Sequence, residues 1–289
     1  MMKFFVVATL FALAEAYEML GDSNCVTILQ VNYEKELLIK NVQSPYQLVI
    51  DYARNTLFFS ITSRRVQMFE SAYFNLKNRA FGTVSGIRGG FSNAVNNKNS
   101  TVYMGGEDGV YQYNYDTNNA TNLHIKDNIN VWQMFYKDGL YFTTYPEEKA
   151  YLYKNDEVVE VPELRDIKVM LLGVTNDMDL IYFNSSGVFL YDKAKKETAY
   201  LNKSVANGIT SDIKGNIYFT SPTGIYYFDS GIKKVKHLAN IDNIYGIAVE
   251  SKGSYIYATE NSLIRLKPTN GVCVKEYQPS NEVEIVIDQ

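Results

Sequence analysis

A unit of about 40 residues recurs along this chain, and this internal repeat constrains the fold more than any other feature of the sequence. The clearest copy, residues 207–228, reads NGITSDIKGNIYFTSPTGIYYF. Its three apolar runs are rich in Ile, Tyr, Phe and Thr, and polar turns containing Gly215 and Gly224 separate them. This pattern predicts short β-strands joined by tight hairpins. Residues 245–266 repeat the rhythm, and a unit that cannot bury its own face must stack on its neighbours.

Six copies of the first strand of this unit align along the chain. The second residue of each copy falls at position 46, 91, 132, 172, 207 or 245. Each copy is followed by a second strand and a third, and a more polar fourth is predicted at Glu157–Val161, Thr198–Asn202 and Lys234–Leu238, without helical periodicity. Four short strands in roughly 40 residues are typical of a β-propeller blade. The sequence therefore predicts an all-β fold, a six-bladed β-propeller with four antiparallel strands per blade, as a single domain over residues 17–289.

Closure of the ring depends on the two ends of the chain, because an open ring would expose sheet edges. The segment Glu36–Val42 precedes the first inner strand as residues 236–241 precede the sixth, so we predict that it is an outer strand of the last blade. Cys25–Gln30 is a candidate for a further strand there, and Val272–Tyr277 competes for the same place. In an oxidising compartment Cys25 and Cys273 favour a disulfide that joins the two ends, with two separate buried thiols as the alternative.

The first 16 residues predict a secretory signal peptide. Lys3 precedes an apolar run that ends in Ala14-Glu15-Ala16, a small-x-small cleavage pattern, and the run is too short to span a membrane. We therefore expect an exported, extracellular monomer. The formal net charge of −4 gives no indication of nucleic-acid or membrane binding. In a secreted protein four Asn-x-Ser/Thr motifs predict glycosylation, and they begin at Asn99, Asn119, Asn184 and Asn202.

The inner strands of a propeller surround a channel, and ligands usually bind where those strands begin. At the second position of each copy the residues are Tyr46, Phe91, Trp132, Leu172, Asn207 and Tyr245. Four of the six are aromatic, so a ring of flat side chains would enclose a planar, partly apolar molecule. The next position supplies the amides of Gln47 and Gln133 and three glycines that leave space. The alternative is that the aromatic residues only plug the channel.

Cationic residues fall in loops on the same predicted face. Arg88 precedes the second inner strand, and Arg64 lies between the second and third strands of the first blade. An arginine at a pocket rim can pair with a ligand carboxylate, although a solvated surface role is the alternative for each.

The sequence contains few motifs that are typical of enzymes. His124 and His237 both fall on predicted outer strands, far from a channel, and no nucleophile elbow or phosphate loop is present. Propeller lactonases place Glu, Asn and Asp around a channel calcium, whereas here only Asn207 occupies a matching position. We therefore expect no catalytic residues, no metal and no cofactor.

Several stretches, in phase with the repeat, resemble the insect ommochrome-binding proteins. They are Pro45–Ser60 (PYQLVIDYARNTLFFS), Gly86–Phe91 (GIRGGF), Gly105–Tyr115 (GGEDGVYQYNY) and Asn261–Pro268 (NSLIRLKP). The resemblance implies a secreted haemolymph protein that binds ommochromes, which are planar, tryptophan-derived pigments with carboxyl and amino groups.

The first hypothesis is therefore a non-enzymatic carrier of an ommochrome or a related metabolite. Tyr46, Phe91, Trp132 and Tyr245 would stack on the ligand, Gln47 and Gln133 would bond its polar edges, and Arg88 and Arg64 would meet its carboxylates. Two alternatives remain open: a calcium-dependent hydrolase of the lactonase type, and a platform that binds a protein or a glycan.

Overall fold

Six antiparallel sheets surround a central channel in the computed structural model, which describes residues 24–63 and 68–271. The strands in chain order are β1 (Cys25–Ile28), β2 (Val31–Lys40), β3 (Tyr46–Asp51), β4 (Thr56–Thr62), β5 (Phe69–Asn75), β6 (Phe81–Thr83), β7 (Ser92–Asn96), β8 (Thr101–Gly106), β9 (Gly109–Asn114), β10 (Asn119–Asn122), β11 (Asn130–Tyr136), β12 (Leu140–Tyr145), β13 (Ala150–Lys154), β14 (Glu157–Glu160), β15 (Leu171–Val174), β16 (Leu180–Asn184), β17 (Gly187–Asp192), β18 (Glu197–Asn202), β19 (Gly208–Ser211), β20 (Ile217–Ser221), β21 (Gly224–Asp229), β22 (Lys234–Asn240), β23 (Gly246–Val249), β24 (Tyr255–Ala258) and β25 (Ser262–Thr269). One 3₁₀ helix, Pro162–Leu164, follows β14.

Each sheet is one blade. Blades 1 to 5 contain β3–β6, β7–β10, β11–β14, β15–β18 and β19–β22, each with its first strand at one edge. The first strands of successive blades contact one another, and β23 of blade 6 contacts β3 of blade 1, so the ring is closed. The predicted six-bladed propeller of antiparallel blades is confirmed.

Blade 6 is built from both ends of the chain. Its strand order is β1-β2-β25-β24-β23, and β2 pairs with β25 from Asn32 opposite Thr269 to Lys40 opposite Ser262. The segment before the first inner strand therefore closes the last blade, as predicted. β1 lies within the candidate segment Cys25–Gln30 and confirms it as a further strand, so this blade has five strands rather than the four predicted per blade. Val272–Tyr277 and Cys273 lie outside the described residues, and the Cys25–Cys273 disulfide stays a prediction.

A partly buried arginine joins the two halves of blade 6. The Arg265 guanidinium on β25 donates two hydrogen bonds to Glu250, at 2.7 and 3.0 Å, and one to Glu36 on β2 at 3.0 Å. Arg79 of blade 1 also reaches Glu36, at 3.2 Å. Two carboxylates, one from each end of the chain, are thus held by one side chain.

The apolar core is divided into layers between neighbouring blades. Residues of blades 1 and 2 pack together around Phe58, and residues of blades 5 and 6 pack around Tyr257. Both side chains are almost completely buried. Because a fully buried aromatic or aliphatic side chain stabilises the fold by roughly 1.5–3 kcal/mol, these layers hold the blades in the ring.

Among the described residues no helix is long and apolar enough to cross a membrane. Residues 1–16, the predicted signal peptide, lie outside them. The four predicted glycosylation sites all lie in turns or at strand ends: Asn99 and Asn119 are exposed, and Asn184 and Asn202 are half-buried. Glycosylation and secretion remain predictions.

Candidate functional site

The channel has two ends of different character. Since each blade begins with its channel-side strand, the starts of these six strands gather at one end and their ends at the other. We call the first end the upper mouth and the second the lower mouth. The aromatic residues predicted from the repeat lie at the upper mouth.

The structure brings the four predicted aromatic residues into one contact chain. The Tyr46 ring lies 5.1 Å from Tyr245 and 5.9 Å from Phe91, measured between ring centroids. Phe91 in turn lies 4.6 Å from Trp132 at an interplanar angle of 35°. Offset and tilted contacts of this kind are the favoured geometries for aromatic pairs. The chain runs through blades 6, 1, 2 and 3.

Irregular backbone accompanies two of these rings. Trp132 is the extra residue of a β-bulge, because Val131 pairs with Thr144 while Gln133 pairs with Thr143. A second shift in register follows Tyr46, and Gln47 there has a positive φ of 53°. A bulge redirects the side chains around it, and bulges are frequent beside functional sites. Both irregularities lie at or directly beside a ring of this contact chain.

Two further aromatic residues extend this series of ring contacts, and neither was predicted from the sequence. The Phe69 ring lies 4.4 Å from Phe91, and the Tyr145 ring lies 5.3 Å from Trp132. Both residues stand at the loops between second and third strands, which open at the upper mouth. Those loops were predicted to share this face, so a search for aromatic residues at their ends would have found them. We call the six rings the aromatic arc: Tyr245, Tyr46, Phe69, Phe91, Trp132 and Tyr145.

The predicted amides are used inside the ring of blades. Gln133 is fully buried; its Nε2 donates to the Met134 and Leu172 carbonyls, and its Oε1 accepts the Leu172 amide at 2.9 Å. Asn207 Nδ2 donates to the Ile244 carbonyl at 2.7 Å. Each side chain therefore ties one inner strand to the next blade. Gln47 is buried as well, beneath the arc.

The glycines next to the arc do not leave open space. A Cβ at Gly173 would meet Ile209, and a Cβ at Gly246 would meet Leu48 at 3.0 Å. Neighbouring inner strands fill these gaps. The missing side chains thus permit close packing around the channel and leave no additional room for a ligand.

One of the two predicted arginines can be located. Arg88 lies in the loop before β7, with its Nε 3.0 Å from a carboxylate oxygen of Glu107 and its side chain 70% exposed. Arg64 lies outside the described residues.

The hydroxyl of Tyr46 has a raised pKa. The main cause is burial, and the nearby Tyr245 and Glu260 side chains raise the pKa further. The phenol is therefore neutral and able to donate at physiological pH.

Two cavities lie in the lower half of the channel. A small cavity of about 40 Å³ occupies the channel interior, and a larger one of about 460 Å³ opens at the lower mouth. Tyr52 lines both. We call the larger one the vestibule. Because the rings of the arc pack against one another, a ligand at the upper mouth would stack on their exposed faces rather than enter the channel.

Within the described residues no group of three or more His, Cys, Asp or Glu is placed to hold a metal ion. His124 is exposed just beyond β10, with its Nδ1 3.0 Å from a carboxylate oxygen of Asp127. His237 lies in the outer strand β22, and its ring packs on the ring of Tyr226. Both histidines lie on the outer side of their blades.

No protein-family model matches the chain. The ommochrome-binding protein of Manduca sexta is 34% identical to it over 258 residues, which cover 87% of this chain and 93% of that protein. A gluconolactonase of Xanthomonas campestris has a similar structure, with a TM-score of 0.67 and 13% identity over 86% of this chain and 96% of that one. A luciferin-regenerating enzyme is also similar in structure, with a TM-score of 0.61 and 12% identity over 85% of this chain and 97% of that one. At such low identities these two structures show the fold alone.

Proposed function

Because this chain belongs to the family of insect ommochrome-binding proteins, we propose that it is a secreted, non-enzymatic carrier of an ommochrome or a related planar, tryptophan-derived metabolite. We place the ligand on the aromatic arc at the upper mouth. The observation that carries this assignment is the unbroken contact chain of six rings from Tyr245 to Tyr145.

The arc suits a flat ligand because its rings contact one another and all of them except the buried Phe91 are at least partly exposed. Tyr145 is 51% exposed and Trp132 is half-buried, so the two present faces to solvent at one end of the arc. A stacked pair contributes about 0.5–1.5 kcal/mol beyond the burial of its area. Contacts with several rings are therefore needed for tight binding, and an extended fused ring system can reach more than one of them.

Polar recognition falls to residues at the rim. The neutral Tyr46 hydroxyl can donate to a ligand oxygen. Arg88 can exchange its exposed partner Glu107 for a ligand carboxylate, because a surface ion pair of this kind is worth less than about 1 kcal/mol. Arg64 is a second candidate. We assign Gln133 no ligand contact, since its amide is committed to Leu172.

The test is a titration of the purified protein with xanthommatin. Trp132 is the only tryptophan in the sequence, so its fluorescence reports on the arc directly. We expect saturable quenching, and we expect Trp132→Ala to weaken binding about tenfold or more when the pigment's visible absorbance is followed instead. Tyr200→Ala is the matched control, because Tyr200 is also an exposed aromatic residue but lies on the outer strand β18.

A lack of saturable quenching would refute pigment binding at the arc. Equal affinities of the Trp132→Ala and Tyr200→Ala proteins would refute the placement. A parallel assay for calcium-dependent esterase activity distinguishes the carrier from a hydrolase, and we expect no turnover.

A further inference from the structure

The vestibule at the lower mouth is a second concave site, on the face opposite the aromatic arc. The turns that follow the inner strands of blades 1 to 5 line its cavity of about 460 Å³. Sites for small molecules typically measure about 300–1,000 Å³, so this volume is adequate for one. The features that suggest its ligand are the lysines, the tyrosines and the state of the carboxylates around it.

Two lysines of the vestibule have no carboxylate partner among the described residues. Lys137 Nζ instead donates to Asn176 Oδ1 at 2.6 Å, and Asn176 Nδ2 donates to the Lys214 carbonyl at 2.8 Å. Asn176 of blade 4 thus holds Lys137 of blade 3 and fixes the turn that carries Lys214 in blade 5. This arrangement fixes one ammonium group and the backbone of the other, and within the described part of the chain neither ammonium group forms an ion pair with a carboxylate.

The carboxylates of the vestibule are already satisfied. Asp138 pairs with Lys98 at 2.7 Å. Asp212 accepts the backbone amides of Lys214 and Asn216 through one oxygen and the Asn216 side chain through the other. Three lysines against two aspartates give the lining a formal charge of one positive. That balance suits a monoanion better than a dianion.

The remaining lining includes apolar surface on which the body of such an anion can rest. Tyr52 lies across the lower end of the channel, with its hydroxyl 2.9 Å from the Val249 carbonyl of blade 6. Tyr136 stands in blade 3, with its hydroxyl accepting Asn96 Nδ2 at 2.9 Å and its ring stacked on Tyr103. Both rings are therefore held in place before a ligand arrives. An aromatic or otherwise apolar carboxylate would match them.

We propose that the vestibule binds a small organic monocarboxylate with an aromatic or apolar body, independently of pigment at the upper mouth. The ligand carboxylate pairs with the ammonium groups of Lys137 and Lys214, and its body lies against Tyr52 and Tyr136. This site involves none of the residues assigned to the proposed carrier function.

The test uses the full chain, with benzoate as the probe and benzamide as its neutral analogue, followed by chemical-shift changes in ¹H–¹⁵N spectra. We expect benzoate to shift the amides of Asn176 and Gly215 saturably, and benzamide to do so at least tenfold more weakly. Lys137→Gln should weaken benzoate binding about tenfold, because one charge-assisted contact is lost. Lys77→Gln is the control, since it removes the same charge from an exposed turn of blade 1.

Four results would overturn the proposal. One is no shift at Asn176 and Gly215 with millimolar benzoate. Another is an equal loss of affinity in the Lys137→Gln and Lys77→Gln proteins, which would indicate a non-specific effect of net charge. The third is displacement of benzoate by equimolar phosphate, which would show a general anion site. Xanthommatin affinity should be the same in the Lys137→Gln and unmodified proteins, and a large loss would mean that pigment itself occupies the vestibule.

Discussion

Replacement of Arg265 by Met should weaken the ring at its closing blade. The Arg265 side chain is only 15% exposed, and it makes two hydrogen bonds to Glu250 and one to Glu36. A hydrogen bond to a charged group contributes about 1.5–3 kcal/mol when it is buried. Glu36 is 37% exposed, so its bond counts for much less. Met keeps the apolar stem but leaves Glu250 without its partner.

We therefore expect a loss of about 2–3 kcal/mol in the free energy of unfolding. For a domain of this size this loss corresponds to a decrease of roughly 5–10 °C in Tm. The measurement is urea unfolding followed by circular dichroism, with a double-mutant cycle between Arg265 and Glu250. The cycle should give a coupling energy of about 1 kcal/mol or more. Arg88→Met is the control, since its ion pair lies at the surface and should contribute less than about 0.5 kcal/mol.

The dependence on pH provides a second check on the same network. Burial opposes ionisation of Glu36, but its bonds to Arg265 and Arg79 outweigh that effect, so the pKa of Glu36 lies below its ordinary value of 4.5. A lowered pKa means that the stabilisation is complete above about pH 4.5 and is lost as the pH falls through the folded-state pKa. The small part of the stability difference between the unmodified and Arg265→Met proteins that comes from Glu36 should therefore shrink in acid. A difference at pH 7 no larger than that of the Arg88→Met control would refute the reasoning.

Three further predictions concern residues elsewhere in the ring. Gln133→Leu should cost about 2–4 kcal/mol in urea unfolding, because it orphans a backbone amide and a carbonyl of the next blade, yet it should leave xanthommatin affinity unchanged. Lys233→Met should destabilise the protein at neutral pH, because Lys233 bonds to Asp192 and lowers the pKa of that carboxyl below 3.8. The difference in melting temperature between the variant and the unmodified protein should therefore shrink below about pH 3.8 when both are melted over a series of acid pH values. Gly105→Ala should cost about 1–3 kcal/mol by thermal unfolding, because a Cβ there would lie 2.5 Å from Val131.

The fold was largely predictable from the sequence because each blade carries its own local signals. Turn residues such as Gly215 and Gly224 punctuate runs of strand-forming residues, and this pattern survives even where individual positions differ. The closing strand was predictable from its spacing to the first inner strand. β1 could be proposed only as a candidate strand, since a blade of four strands satisfies the repeat and nothing in a single unit indicates a fifth.

The site was predictable only in part, because it depends on departures from the repeat. The repeat places Tyr46, Phe91, Trp132 and Tyr245 at one mouth, and they do meet there. Phe69 begins β5 and Tyr145 ends β12, and the loops beside them vary in length between blades, so alignment does not bring them into register.

The roles of the amides were not predictable either. A glutamine that follows an aromatic residue can face a ligand or bond its own neighbour strand. In Gln133 the choice depends on the position of the Leu172 backbone, which lies 39 residues away in sequence. Similarly, the vestibule arises from turns of five blades, none of which has an unusual sequence alone.

The double origin of blade 6 has a consequence for biosynthesis. β2 emerges from the ribosome long before β25, its partner, which lies about 230 residues later in the chain. At translation rates of 5–20 residues per second, roughly 10–50 s separate the two. Throughout that interval a ten-residue strand with an unpaired edge must avoid other chains. The step that completes the ring is therefore also the one most exposed to error, and crowded expression should trap this protein as dimers that exchange their first strands.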